Sequence, residues 1–205
     1  MHPNPAYHTD DRELMETLIE QIGFAMVFAQ TPDGPRVAHT PVLLLREGDQ
    51  GTNRLQFHLS RGNALTRHLD GLTALAVVNG PEAYASARWY EDPTQVPTWD
   101  YVSLELEGRV RKLDDAELFQ LLELLSARQE ARVEGGEPWT MAKTPPEKLR
   151  KLLGAIAGFE LEIQAWRPTL KLHQKAPQHE RKRVIAGLEA QGSQAVAALI
   201  GGLAK

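Results

Sequence analysis

The chain of 205 residues contains no cysteine. Disulfide bonds, thiolate zinc sites, iron–sulfur clusters and a cysteine nucleophile are therefore excluded. The chain also lacks a run of about 18 apolar residues, the length that a membrane-spanning helix requires. Its first residues do not show the basic and then apolar pattern of a signal peptide. From these absences we expect a cytoplasmic protein that does not enter the membrane.

An excess of positive charge is absent as well. The formal net charge is −4 and the isoelectric point is near 6.0, whereas proteins that bind duplex DNA usually carry a basic stripe. The one dense basic cluster lies at residues 171–183, and we interpret it as a solvated surface. No helix-turn-helix pattern is evident. Direct DNA binding is thus poorly supported, although it stays open as a partner interaction.

Sequence motifs that carry a known mechanism are missing too. There is no P-loop, no G-x-G-x-x-G, no G-x-S-x-G and no H-E-x-x-H. The seven histidines are scattered, and none has the spacing of a zinc site. The sequence predicts no metal site and leaves the catalytic residues unknown.

Short apolar segments separated by turn residues dominate the chain. The clearest has Val102, Leu104, Leu106 and Val110 alternating with polar residues, which predicts a half-buried strand. Helical patterns interrupt the strands and close the chain. This order favours a mainly β fold with helical caps (α+β), built as a barrel or sandwich. We predict strands over 24–30, 36–46, 54–59, 73–79, 82–87, 102–110 and 159–165, and helices over 10–23, 63–69, 114–132, 145–153, 178–190 and 193–203.

Three segments carry candidate binding residues. Arg61 and Asn63 lie where a strand gives way to a short helix, a place where a guanidinium and free backbone N–H groups bind phosphate. The segment from Tyr84 to Tyr101 holds three of the four tyrosines and two of the four tryptophans, which suit a flat ligand, a dimer interface or a covered core. Lys171 and Gln174 offer polar groups to an anion, or belong to a solvated turn.

At these residues the sequence resembles the PaiB-like family of FMN-binding negative transcriptional regulators, from about residue 1 to residue 188. The ordered motifs are the proline and acidic pair of residues 3–11, Ala-His-Thr-Pro at 38–41, the segment 58–64, Gly-Pro-x-x-Tyr at 80–84, and Trp-Tyr at 89–90. They continue with Val-Pro-Thr-Trp-Asp-Tyr at 96–101, Glu-Pro-Trp at 137–139, the segment 158–163 and Lys-Leu-His-Gln-Lys at 171–175.

The resemblance implies an FMN-binding split β-barrel with FMN at a homodimer interface. It implies a split-barrel domain over 1–175 and a C-terminal helical segment over 176–205 that packs on the barrel or on the dimer partner. It assigns the phosphate to Arg61 and Asn63, with Lys171 and Gln174 as further polar contacts. The residues implied to line the flavin or the partner subunit are Trp89, Tyr90, Thr98, Trp99 and Tyr101.

Several positions depart from the family pattern. Asp100 stands where the family has Asn, and an ionised carboxylate only accepts hydrogen bonds. His173 and Lys175 replace Ser and Asn, and the proline expected near Ser86 is missing. Three functions therefore stay open: an FMN-binding regulator of the PaiB type, a flavin-dependent oxidoreductase acting on a small molecule, and a dimeric binding module in which FMN binding is weakened or lost.

Overall fold

The structure, a computed structural model, describes residues 2–46 and 53–202. The sheet consists of six strands: β1 (Phe24–Thr31), β2 (Gly34–Leu45), β3 (Arg54–Ser60), β4 (Thr73–Ala85), β5 (Thr98–Lys112) and β6 (Ile156–Lys171). Five α-helices accompany them: α1 (Arg12–Ile22), α2 (Asp115–Glu130), α3 (Pro146–Leu153), α4 (Gln178–Ala190) and α5 (Gln194–Gly202). The predicted mainly β class with helical additions is confirmed.

The strands form a closed barrel in the order β1-β2-β3-β6-β5-β4. A hairpin joins β1 to β2: Phe24 pairs with Pro41 and Thr31 with Gly34, which leaves a two-residue turn. Gly34 has a φ of 98°, a conformation that glycine adopts without steric cost. β3 and β6 also run antiparallel, with Arg54 opposite Glu162 and Ser60 opposite Ile156. Closure satisfies the strand edges that an open sheet would leave unpaired.

Helix α2 begins as the sequence predicts. Asp114 is its N-cap: the Asp114 carboxylate accepts from the backbone N of Glu117 at 2.8 Å, and the Glu117 carboxylate accepts from the backbone N of Asp114 at 2.9 Å. This reciprocal capping box satisfies two backbone donors that the helix start leaves free. The apolar face of α2 is buried in a cluster of Leu43, which lies on β2, with Leu113, Leu121 and Leu125.

The chain divides into two compact units. The terminal unit contains the described residues up to Met15, the segment Asn79–Glu105 and the residues from Arg167 onward; the central unit contains Glu16–Val78 and Leu106–Trp166. In the central unit the buried rings of Phe57 and Phe159 stack with centroids 5.7 Å apart. In the terminal unit α4 and α5 pack against each other.

Three predicted elements differ from the structure. Residues 63–69 form successive turns and not an α-helix. Asn63 Oδ1 accepts from the backbone N of Leu65 and closes one of these turns. β4 is one strand where the sequence predicts two. A Cβ at Gly80 would lie 2.9 Å from Val102 Cβ, so this glycine permits close strand approach and does not end the strand. Residues 203–205, at the end of the predicted last helix, lie outside the described residues.

Candidate functional site

The nine predicted cofactor-binding residues fall into both units. Arg61 and Asn63 belong to the central unit. The other seven belong to the terminal unit, where β5 carries three of them. These seven are Trp89, Tyr90, Thr98, Trp99, Tyr101, Lys171 and Gln174.

Arg61 is anchored directly after β3. Its backbone N donates to the carbonyl of Ala155 at 2.9 Å, and its side-chain Nε donates to the carbonyl of Gly154, also at 2.9 Å. Arg61 also lines a cavity of about 440 Å³ whose other cation is Arg150 and whose one carboxylate is Asp115. Because Nε is already bonded, the two terminal nitrogens of Arg61 are the ones that suit an anion.

A buried carboxylate is the unexpected feature of the terminal unit. Asp100 follows the same period-two pattern as Val102 and Leu104, so its side chain lies on the buried face of β5 and has no exposed surface. Its Oδ2 lies 2.5 Å from Nδ1 of His173. Among the described residues its Oδ1 is buried without a hydrogen-bond partner.

His173 connects this carboxylate to a phenol. The Nε2 atom of His173 lies 2.8 Å from the hydroxyl oxygen of Tyr90, so Asp100, His173 and Tyr90 form a continuous hydrogen-bonded chain. Burial, followed by the charges of Asp100 and Glu180 and by Tyr84, raises the pKa of Tyr90 above its ordinary value. Tyr90 is therefore a neutral phenol at physiological pH and retains a proton to donate.

The turn after β6 holds His173 in place. His173 has a φ of 56°, in the left-handed region that few residues other than glycine adopt. Gln174 supports this turn with both ends of its amide: Oε1 accepts from the backbone N of Leu172 at 2.8 Å, and Nε2 donates to the carbonyl of Leu170. Gln174, predicted as a cofactor contact, thus positions the backbone that presents His173.

The Asp100–His173 pair changes how the departures from the family pattern are interpreted. The sequence alone suggests that a carboxylate at position 100 repels an anionic ligand. A buried carboxylate is costly without a hydrogen-bond partner, and Nδ1 of His173 supplies one to Asp100 at 2.5 Å. The two departures, Asp100 and His173, therefore compensate each other.

A cavity of about 330 Å³ opens beside this chain, and we call it the Tyr90 cavity. Tyr7, Val96 and Pro177 supply apolar surface to it, and Lys171 and Lys175 supply two cations. Neither lysine forms an ion pair within the part of the chain that the structure describes. The remaining residues that line the Tyr90 cavity are Tyr90, Gln95, Thr98, Asp100, His173, Ala176 and Glu180.

The predicted residues around this cavity have defined contacts. Lys171 Nζ donates to the hydroxyl of Thr98 and, at 2.7 Å, to the carbonyl of Trp99. The half-exposed ring of Trp99 packs edge-on against Tyr84, with centroids 6.0 Å apart. Tyr101 is partly buried on β5. Lys171 and Thr98 thus meet, as the assignment of both to one site requires.

One group of possible metal ligands lies beside the cavity. Ligand atoms of Glu91, His179 and Glu180 lie within 4.8 Å of one another. Glu180 Oε1 already accepts from the backbone N of Glu91 at 2.9 Å, and the side chains of Glu91 and His179 are 71% and 62% exposed. Exposed groups that point into solvent hold an ion weakly, so this cluster does not by itself define a metal centre.

Comparison with solved structures defines the class of protein. The fold is similar to the FAD and heme binding protein from Mycobacterium smegmatis, with a TM-score of 0.58, 21% identity, and coverage of 88% of this chain and 80% of that one. It is similar to the flavocytochrome Anf3 from Azotobacter vinelandii, with a TM-score of 0.57, 17% identity, and coverage of 89% and 78%. At these identities the likeness concerns the fold, which is that of a split barrel.

Comparison of sequences identifies the family. Residues 1–165 match the family described as "Putative FMN-binding domain", and the chain belongs to this family. It is also 24% identical over 184 residues to the "Protease synthase and sporulation protein PAI 2" of Bacillus subtilis (strain 168), covering 89% of this chain and 86% of that protein. The resemblance to the PaiB type that the motifs indicate is confirmed.

Proposed function

We propose that the protein binds FMN and that Arg61 and Asn63 hold its phosphate. The supporting observation is the anchored guanidinium: Arg61 Nε is fixed on the carbonyl of Gly154, while its terminal nitrogens suit a planar two-point contact with phosphate oxygens. Arg150 adds positive charge to the same cavity. Membership of the FMN-binding family makes a flavin the expected source of that phosphate.

We infer a regulatory role of the PaiB type for this flavoprotein, acting as a cytoplasmic homodimer. The support is the similarity to the Bacillus subtilis protein. Trp89, Tyr90, Thr98, Trp99, Tyr101, Lys171 and Gln174 stay proposed contacts of the flavin or of the partner subunit. Because the net charge is −4, regulation through a protein partner or through the flavin's redox state fits better than direct binding to an operator. No helix of the described residues has the length and apolar character to span a membrane.

Titration with FMN and with riboflavin tests the phosphate site. We expect the purified protein to keep flavin absorbance after desalting, and we expect Arg61→Ala to weaken FMN binding by about 10-fold or more, the usual cost of losing a charged hydrogen bond. Riboflavin, which lacks the phosphate, should bind both proteins equally. Arg67→Ala removes an exposed arginine from the same turn segment and should leave FMN binding unchanged.

Two outcomes contradict this assignment. If the protein stays colourless after incubation with FMN, it does not bind the cofactor, and we then expect it to function as a cofactor-free dimer. If the Arg61→Ala variant binds FMN as tightly as the parent protein, the phosphate is bound at another site. Sedimentation velocity tests the dimer independently, since a dimer has twice the 22.8 kDa mass of the chain.

A flavin-dependent oxidoreductase is the second candidate, and the Tyr90 cavity favours it. A neutral phenol beside a solvent-accessible cavity suits proton transfer to a small molecule that is being reduced. Bound flavin supplies the electrons in such chemistry. Oxidation of NADH or NADPH by the FMN-loaded protein, stimulated by an acceptor, supports this function. Absence of turnover with either donor favours the regulator.

A further inference from the structure

We propose that Glu91, His179 and Glu180 bind one divalent transition-metal ion such as zinc, and that Glu180 is its buried ligand. The ion joins the segment that follows Tyr90 to the first turn of α4. The three ligands belong to the terminal unit and none of them is assigned to the flavin, so the metal site does not depend on the phosphate site at Arg61.

The buried carboxylate of Glu180 is the observation that points to an ion. Glu180 is 9% exposed, and its Oε1 accepts from the backbone N of Glu91 at 2.9 Å. Its Oε2 is buried without a hydrogen-bond partner among the described residues. A carboxylate oxygen that loses its water without gaining another partner is costly. A cation bound to this carboxylate offsets that cost.

The three side chains already lie near the separations of ligands on one ion. One ligand atom from each residue lies within 4.8 Å of the other two. Nε2 of His179 is 3.7 Å from Oε2 of Glu91, which is too far for a hydrogen bond. Zinc forms bonds of about 2.0–2.2 Å to imidazole nitrogen and carboxylate oxygen, which places two tetrahedral ligands about 3.3–3.6 Å apart. An ion at this pair therefore requires only a small movement of the two side chains.

The backbone that carries the ligands is fixed by α4. Arg183 Nε donates to the carbonyl of Trp89 at 2.6 Å, and the Glu180 carboxylate holds the backbone N of Glu91. His179 and Glu180 are consecutive residues of the helix itself. Metal binding therefore orders two exposed side chains, those of Glu91 and His179, and does not have to order a loop. Such preorganisation lowers the entropic cost that weakens sites made of exposed ligands.

The donor set favours a transition-metal ion over magnesium or calcium. One imidazole and two carboxylates suit zinc, whereas magnesium and calcium prefer oxygen ligands alone. The charges of the two carboxylates balance the two charges of the ion. Three protein ligands leave a further coordination position to water.

The sequence does not reveal this site because its ligands come from two distant segments. The contact between Glu180 and Glu91 joins residues that lie 89 positions apart, so no short ligand spacing marks the site. The chain contains no cysteine, which removes thiolates as competing zinc ligands.

Titration with Zn²⁺, followed by competition with a chromophoric zinc indicator, tests the site. The purified protein is first stripped with EDTA and its flavin content is measured. His179→Ala and Glu91→Gln each remove a ligand whose side chain is exposed, so the fold should persist. Affinity for Zn²⁺ should fall by at least the roughly 10-fold that loss of an outer-shell partner costs a metal site.

The variant Glu180→Gln tests the buried ligand. It keeps an oxygen that accepts from the backbone N of Glu91 and removes the carboxylate charge, so affinity for Zn²⁺ should again fall about 10-fold or more. Zn²⁺ should also raise the thermal unfolding midpoint of the parent protein, because an ion that binds only the folded chain stabilises it. The midpoint of Glu180→Gln should not respond to Zn²⁺.

Two control variants remove similar side chains elsewhere. Glu189→Gln neutralises an exposed carboxylate of the same helix, and His39→Ala removes an exposed histidine of β2. Both variants should bind Zn²⁺ with the affinity of the parent protein. Circular dichroism of every variant excludes misfolding, and the two variants at exposed ligands keep the test decisive if Glu180→Gln does not fold.

Four results overturn the proposal. The stripped, folded protein may show no saturable Zn²⁺ binding, or the three ligand variants may bind Zn²⁺ as tightly as the parent, which places the ion elsewhere. A loss of affinity in His179→Ala without a loss in Glu180→Gln describes an exposed pair and removes Glu180 from the ligand set. Displacement of Zn²⁺ by an excess of Mg²⁺ indicates a site of oxygen ligands that does not use His179.

Discussion

Gly187 of α4 lies directly beneath the indole ring of Trp89: a Cβ on Gly187 would stand 2.3 Å from Cδ2 and 2.4 Å from Cε2 of that ring. From the same helix Arg183 Nε donates to the carbonyl of Trp89 at 2.6 Å. α4 therefore fixes the segment that carries Tyr90, the next residue along the chain. The C-terminal helical segment positions a candidate site residue and is not a mere extension of the barrel.

The Gly187→Ala variant should destabilise the protein. The added methyl group overlaps the Trp89 ring, and relief of such overpacking typically costs about 1–3 kcal/mol, more than the gain in helix propensity of about 1 kcal/mol. Gly201→Ala in α5 is the matched control, because its Cβ meets no atom within 4 Å. The free energy of unfolding in urea should fall for the first variant and stay level or rise for the second. Equal stability of the two would contradict the packing described here.

A second prediction concerns Glu160, which is 3% exposed in the central unit. Its carboxylate accepts from Gln56 Nε2 at 2.7 Å and from Arg111 Nε at 2.8 Å. We expect Glu160→Ala to lower the free energy of unfolding by about 2–4 kcal/mol, because the buried amide of Gln56 loses its acceptor and Arg111 keeps only Glu117 of its two carboxylate partners. Glu160→Gln keeps the shape and should cost less.

The control for Glu160 is an exposed ion pair. Glu137 Oε2 lies 3.3 Å from Lys143 Nζ, and the side chain of Glu137 is 84% exposed. Solvated pairs of this kind contribute less than about 1 kcal/mol, so Glu137→Ala should leave the urea midpoint almost unchanged. If the Glu160 and Glu137 variants lost similar stability, burial would not be the reason for the Glu160 effect.

Much of the fold could be predicted because its determinants are local. The period-two segment of β5 and the helix predicted from residue 114 each express a preference of neighbouring residues, and each is found in the structure. The predicted elements differ from the structure where a contact between residues distant in sequence determines the local conformation. The sequence predicts a strand end near Gly80, but a side chain there would overlap Val102, a neighbour that only the tertiary structure reveals.

The candidate site could be predicted only in part for the same reason. Arg61 is predicted from its place after a strand, and Lys171 and Thr98 from the family motifs; their roles as cofactor contacts stay predictions. The pairing of Asp100 with His173 was missed because the residues are far apart in sequence. One signal was present: Asp100 occupies the next inward position of the series Val102, Leu104 and Leu106. A carboxylate on the buried face of a strand requires a partner, and the sequence does not identify which residue provides it.

The last prediction concerns the pH dependence of stability. His58 lies on β3, and burial lowers its pKa in the folded protein below the ordinary value of about 6.5. Among the described residues its Nδ1 is buried without a hydrogen-bond partner. Between the lowered pKa and the ordinary one, the unfolded chain binds more protons at this site than the folded protein does. The free energy of unfolding should therefore fall as pH drops through about 6.5, and His58 adds no further loss below its folded pKa.

Urea denaturation at a series of pH values measures this contribution. One histidine contributes a slope of at most about 1.4 kcal/mol per pH unit. His58→Gln and His58→Asn keep a polar side chain but cannot take up a proton in this range, so both should show a shallower slope than the parent protein. Because other groups also titrate, the difference between parent and variant is the measured quantity. If the parent protein and the variants showed parallel plots of unfolding free energy against pH, His58 would be protonated equally in the folded and unfolded states. That result would contradict the effect of its burial on β3.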